Sequence, residues 1–223
     1  MAKALDLEEQ EQLDQIKHFW KKYGNLISWL LILVLGSFTA WNGYKYWQRD
    51  QAAKAAVLFD EVERAVTAGD VTRVERSLAD MKDKFGTTQY AQQAALLAAK
   101  ALQNKDKGDA ARAALKWVVD GATDPAYRDI ARLRLSGLLL DAGSHDEALA
   151  QLSAPFTPGM TGLAADLRGD VLQAKGQPAE ALTAYQAAWQ QLDDSPDYRR
   201  LVEAKLNALG IDPQPAATTG NNK

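Results

Sequence analysis

Cysteine is missing from this 223-residue chain, and histidine occurs only twice. The first absence excludes disulfides and a lipoprotein anchor, and it suits an oxidising compartment without requiring one. The histidines, His18 and His145, lie far apart in sequence. His145 stands in a turn, where a solvated imidazole is the expected state. HExxH, GxxxxGK[S/T] and GxSxG are all absent, so zinc-protease, phosphate-loop and serine-hydrolase chemistry have no foothold. The stretch GDAARAAL (108–115) has one glycine and cradles nothing. Carboxylates one helical turn apart, such as Asp166 and Asp170, usually mark a polar helix face rather than a cation site. No catalytic, cofactor-binding or metal-binding residue is nominated, and an enzyme is not expected.

An excess of either charge is lacking too. Lys plus Arg number 26 against 29 Asp plus Glu, a net charge of −3. Such a balance leaves no electrostatic footprint for nucleic acid. Strand-like alternation is also absent. After Trp47 the chain is rich in Ala, Leu, Gln, Glu and Arg, all good helix formers, and one domain of this length can bury a core.

What is present begins with ISWLLILVLGSFTAW (27–41). No charge falls between Lys22 and Lys45. A helix over those residues spans roughly 32 Å at about 1.5 Å per residue, enough for a bilayer core of about 30 Å. Trp20 and Tyr23 precede it, and Trp41, Tyr44, Tyr46 and Trp47 close it. Trp and Tyr prefer the headgroup level, so the run predicts a span in the lipid bilayer over 23–47. Signal peptidase needs small residues one and three positions before its cut. Ala40 has Phe38 in the wrong place and Gly43 has Trp41, so the segment stays as a signal anchor. The flanks tie in positive charge, Lys17, Lys21 and Lys22 against Lys45, Arg49 and Lys54, and the tie leaves orientation undecided. Gly36, Ala40 and Gly43 form a stripe at i, i+4 and i+7. Small residues let two helices approach in lipid, so the stripe is a candidate docking face. Residues 1–22 read as an acidic lead-in to a short amphipathic helix, either a solvated juxtamembrane segment or a regulatory contact.

The body repeats. LSGLLLDAGSHDEALAQL (135–152) lies over LRGDVLQAKGQPAEALTAY (from 167) with Ser136 on Gly169, Gly143 on Gly176, Ala148 on Ala181 and Leu152 on Tyr185. An offset near 34 residues is that of a tetratricopeptide repeat. Ser136 or Gly169 lets the first helix press on the second. Gly143 and Gly176 end the first helix in the left-handed conformation. Ser144 with Glu147 reads as a capping box, and Pro178 suits a first helical turn. Ala99, Leu102, Ala111 and Leu115 form a weaker earlier copy. A further helix pair surrounds Gly69, and residues 199–209 read as a capping helix, for about three and a half repeats in all. The fold class predicted is all-α: one N-terminal transmembrane helix, then a tetratricopeptide-repeat-like α-solenoid over 48–210, with a disordered tail over 211–223. Such a solenoid binds along the face lined by the first helix of each pair. There the partner-groove candidates are Leu133, Leu140, Asp166, Asp170 and Gln173. Few lysines or arginines lie on that face, which argues against a clamp for a terminal carboxylate.

The acidic N-terminus, the span ending in WNGYKYWQ and the stretch AADLRGDVLQAKG (164–176) together resemble the YfgM family, ancillary subunits of the SecYEG translocon. The resemblance covers nearly the whole chain to about residue 210. It implies an inner-membrane protein with a cytoplasmic N-terminus and periplasmic repeats. It implies partnership with the translocon and with the membrane-anchored periplasmic chaperone PpiD, and help in passing unfolded translocated proteins to periplasmic chaperones. A cytoplasmic link to a stress-response regulator is also implied. Composition and spacing by themselves support a membrane-tethered interaction domain. The alternatives are an envelope-assembly scaffold or a regulator acting through the N-terminal segment.

Overall fold

The computed structural model describes residues 7–192 and 196–213, and the tail expected over 211–223 lies outside the described residues from 214 onward. Helix α1 (Leu7–Ala68) is followed by α2 (Val71–Phe85), α3 (Gln89–Gln103), α4 (Gly108–Gly121) and α5 (Pro125–Asp141). Then come α6 (His145–Gln151), a 3-10 turn (Pro158–Met160), α7 (Thr161–Ala174), α8 (Pro178–Gln191) and α9 (Pro196–Ala208). No strand occurs among the described residues, and the all-α class is as expected. The chain divides inside α1 into two compact units, Met1–Ala53 and Lys54–Lys223.

In the first unit the apolar run is helical and bare. Leu30, Leu31, Ile32, Leu33, Leu35 and Phe38 are each more than half exposed. A helix that is apolar all round needs a non-aqueous neighbour, and this one is long and apolar enough to cross a membrane. Two of its polar side chains are satisfied locally. Thr39 Oγ1 donates to the carbonyl of Leu35 at 2.8 Å, and Asn42 Nδ2 to that of Phe38 at 3.0 Å. At the ends Lys22 lies over Tyr23, and Lys45 lies 5.2 Å from the centre of the Trp41 ring.

The second unit is a stack of antiparallel helix pairs: the end of α1 with α2, α3 with α4, α5 with α6, α7 with α8, and α9 beyond. The turn inside each of the two clearest pairs is the same object. Gly143 and Gly176 have φ of +73° and +78°. The Ser144 N–H reaches back to Leu139 O at 2.8 Å, and the Gln177 N–H to Leu172 O at 2.9 Å. That is the Schellman closure of a helix C-terminus. One expectation fails here. Ser144 makes no side-chain cap bond, and its ψ is 61°. The closing turn takes its backbone out of the extended conformation that aims a cap hydroxyl at the next amides, so the Ser144–Glu147 capping box does not form. True side-chain caps occur at Asp70, Thr88 and Asp124. The capping helix begins earlier than residue 199, at Pro196.

Alanine sets the spacing between helices. Ala94, Ala98, Ala111, Ala114, Ala131, Ala148, Ala181 and Ala188 are all fully buried. Leu102, Leu115, Leu152 and Tyr185 fill the layers between them. The apolar core falls into two clusters, one running from Ala55 to Val171 and the other from Leu172 to Leu206.

Candidate protein-interaction surface

The first helices of successive pairs are tied by side-chain hydrogen bonds in at least one place. Gln93 Nε2 on α3 donates to the Tyr127 hydroxyl on α5 at 2.5 Å, and Arg134 on α5 donates to the carbonyl of Leu96 at 3.1 Å. Leu133 and Leu140 lie on α5, half-buried against the larger core cluster. They support the core as much as they line a face. Gln173 on α7 is exposed.

Asp166 is not open to a partner, and Asp170 is open only in part. Asp166 is 1% exposed. Its Oδ2 accepts from the Tyr198 hydroxyl at 2.7 Å and its Oδ1 from Lys205 Nζ at 2.8 Å. Asp170 accepts from the Tyr185 hydroxyl at 2.8 Å and from Lys205 Nζ at 2.9 Å. Helix α9 therefore spends its one lysine and a tyrosine on the acidic face of α7. Burial first, and then the adjacent carboxylates, push both phenols well above the usual tyrosine value. This corrects the reading of Asp166 as a groove residue: its charge is taken up inside the protein, while Asp170 keeps 32% of its side chain in solvent. Aligning two repeats cannot reveal it, because the element that covers α7 belongs to neither repeat. The available signal was Tyr198 and Lys205, seven apart on one helical face, and Lys205 stands one residue before the core position Leu206.

A second buried ionic group was not anticipated either. Arg132 is 6% exposed and donates to the carbonyls of Gln151, Ala154 and Pro155 at 2.8, 2.7 and 3.0 Å. It also pairs with buried Asp129 at 3.3 Å. Its guanidinium sits 3.8 Å from the centre of the Phe156 ring. On the membrane unit, Gly36, Ala40 and Gly43 are exposed, and a Cβ added at Gly36 or Gly43 would meet nothing within 4 Å. No group of three or more His, Asp or Glu suited to a metal occurs among the described residues.

Residues 17–211 match the tetratricopeptide repeat-like domain family. An ancillary SecYEG translocon subunit of Neisseria gonorrhoeae is 31% identical over 210 residues, covering 92% of this chain and 99% of the relative. The chain belongs to the family of ancillary SecYEG translocon subunits. Members from Haemophilus influenzae and Escherichia coli are 28% and 26% identical, over 92% and 91% of this chain and 100% and 97% of theirs. No solved structure matches the chain. The family match starts before the uncharged run, so family membership takes in the candidate anchor as well as the repeats. The family expected from the ADLRGD stretch is the family found.

Proposed function

We propose that the chain is a membrane-tethered accessory subunit of the Sec translocon, holding other proteins through its helical repeats and passing translocated chains toward periplasmic chaperones. One observation carries this reading: the relatives called ancillary SecYEG translocon subunits align over 97–100% of their own length. The alignment spans anchor and repeats together. The exposed apolar helix supplies the tether. Its stripe of Gly36, Ala40 and Gly43 supplies a face where another membrane helix docks by close backbone approach. The N-terminus lies in the cytoplasm and the repeats in the periplasm, where the cysteine-free composition is at home. The membrane-anchored chaperone PpiD is the expected partner there. A stress-response regulator is the expected contact of the cytoplasmic segment.

The deciding experiment is site-specific crosslinking in membranes, followed by purification in mild detergent. Adducts to the translocon and to nascent chains support the reading. Adducts confined to envelope-assembly proteins overturn it. Gly36→Leu with Ala40→Leu should leave insertion intact and weaken translocon recovery. For orientation, a cysteine at exposed Thr123 is unique in the chain. It should react with an impermeant maleimide in intact spheroplasts, and labelling only after lysis would reverse the topology.

A further inference from the structure

Helix α6 stops after 7 residues, whereas α2, α4 and α8, the second helices of the other pairs, run to 15, 14 and 14. Pro155 and Pro158 explain the stop, since neither has an N–H to give a helix. Residues 152–157 take the place of the missing turns as a loop. The loop is held: Arg132 binds three of its carbonyls or their neighbours, and the Thr157 N–H donates to Asp129 Oδ2 at 2.7 Å. Between this loop and helices α7 and α8 lies a cavity of about 490 Å³, within the range of small ligand sites. Leu152, Phe156, Ala165, Leu172, Ala184 and Ala187 line it. Its walls come from both core clusters, Leu152 and Ala164 from the larger and Leu172 and Ala184 from the smaller. The charged residues of the lining are Arg168 and Glu180. Arg168 is exposed and forms no ion pair with another described residue. Glu180 already accepts from Gln177 Nε2 at 2.9 Å.

We infer that this pocket binds an apolar segment of a partner protein that carries a single carboxylate beside its apolar side chains. The apolar groups fill the gap between the two core clusters that the shortened α6 leaves. The carboxylate takes Arg168, which can offer it two parallel N–H groups. Glu180 repels a second acid on the same segment. Because Arg132 and Asp129 fix the loop beforehand, little ordering cost falls on the binding step. The inference rests on the reading of the body as a protein-interaction module. It places the contact on α7, α8 and the 152–157 loop rather than on the face of Leu133 and Leu140.

The test uses the full chain in detergent micelles and two fluorescein-labelled peptides. One has two leucines followed by glutamate, and the other has lysine in place of the glutamate. Anisotropy should give about tenfold tighter binding of the acidic peptide, the worth of one charge-assisted hydrogen bond. Arg168→Gln should erase that preference. Thr183→Trp, at an exposed position that lines the pocket, should weaken the acidic peptide by about tenfold or more. If that variant melts early, Ala187→Leu serves as a milder filling change. Equal binding of both peptides, no binding of either, or a preference untouched by Arg168→Gln overturns the proposal. A dimer in solution that Thr183→Trp dissociates also overturns it, by assigning the pocket to a second copy. Failed peptide binding in a protein that still co-purifies with the translocon sinks the pocket alone. Retained peptide binding without the translocon sinks only the translocon reading.

Discussion

Gly169 lies under the ring of Tyr185, so close that a Cβ built on it would fall within 2.8 Å of three ring atoms. Tyr185 is 3% exposed and its hydroxyl is tied to Asp170, so the ring has nowhere to go. In the preceding repeat the same place holds Ser136, fully buried, whose hydroxyl donates to the carbonyl of Ala148 at 2.7 Å. One position solves one steric problem in two ways.

Gly169→Ala should therefore destabilise the last pair. Alanine gains about 0.5–1 kcal/mol of helix propensity over glycine, but overpacking a closed core costs about 1–3 kcal/mol. A net loss of about 1 kcal/mol is expected, read as a lower melting temperature by circular dichroism. Tyr185→Leu should soften the effect of Gly169→Ala in a double-mutant cycle. Additive losses would mean that the ring is not the obstacle.

Lys205→Met should cost more. Its ammonium is the cation shared by Asp166 and Asp170, and the Asp166 side chain is only 2% exposed. Removing one partner of a buried pair costs about 3–5 kcal/mol. Lys205 keeps 22% of its side chain in solvent, so about 2–3 kcal/mol is the expected figure here. Denaturant titration checks it, and Asp166→Asn in the Lys205→Met background should recover part of the loss.

Alkaline pH should loosen the same end of the stack. The phenols of Tyr185 and Tyr198 titrate above their ordinary value in the folded chain. A group whose folded value is raised stabilises fully below its unfolded value, near 10 for tyrosine, and loses that contribution as pH climbs toward the folded value. Stability should thus fall above about pH 10. Tyr185→Phe with Tyr198→Phe should flatten that fall while lowering stability at neutral pH. An unchanged alkaline limb would show that other groups set it.

Arg132→Lys should free the 152–157 loop. A point-like ammonium cannot reach three carbonyls and a carboxylate and still stack on Phe156. Cleavage by a protease of broad specificity should move to this loop, with at least a several-fold faster rate than in the parent chain. A digestion pattern identical to the parent's would mean that the prolines alone hold it.

The resemblance between residues 135–152 and the stretch from 167 was legible without coordinates, because glycine at a left-handed turn and alanine at a helix crossing answer to local geometry. Ala148, Ala181, Gly143 and Gly176 hold the places that their spacing assigns. The exposed apolar helix was legible for the same reason, since an uncharged run of that length with aromatic ends matches the thickness of a bilayer. Asp166 and the Ser144 cap were misjudged because their roles depend on what lies beside them. A carboxylate on a helix reads as a solvated face until another helix brings a lysine to it. The shortened α6 stood in plain view as two prolines, yet the cavity it leaves required the positions of α7 and α8.

By itself, then, the amino-acid order determined the helical class, the membrane-length helix, the repeat turns and the family, all properties of residues near one another in sequence. Only tertiary structure decided which charges are buried, which leucines support the core and where the stack is left open. Each of those turns on distances between residues such as Asp166 and Lys205, which the chain places 39 positions apart and the fold brings to 2.8 Å.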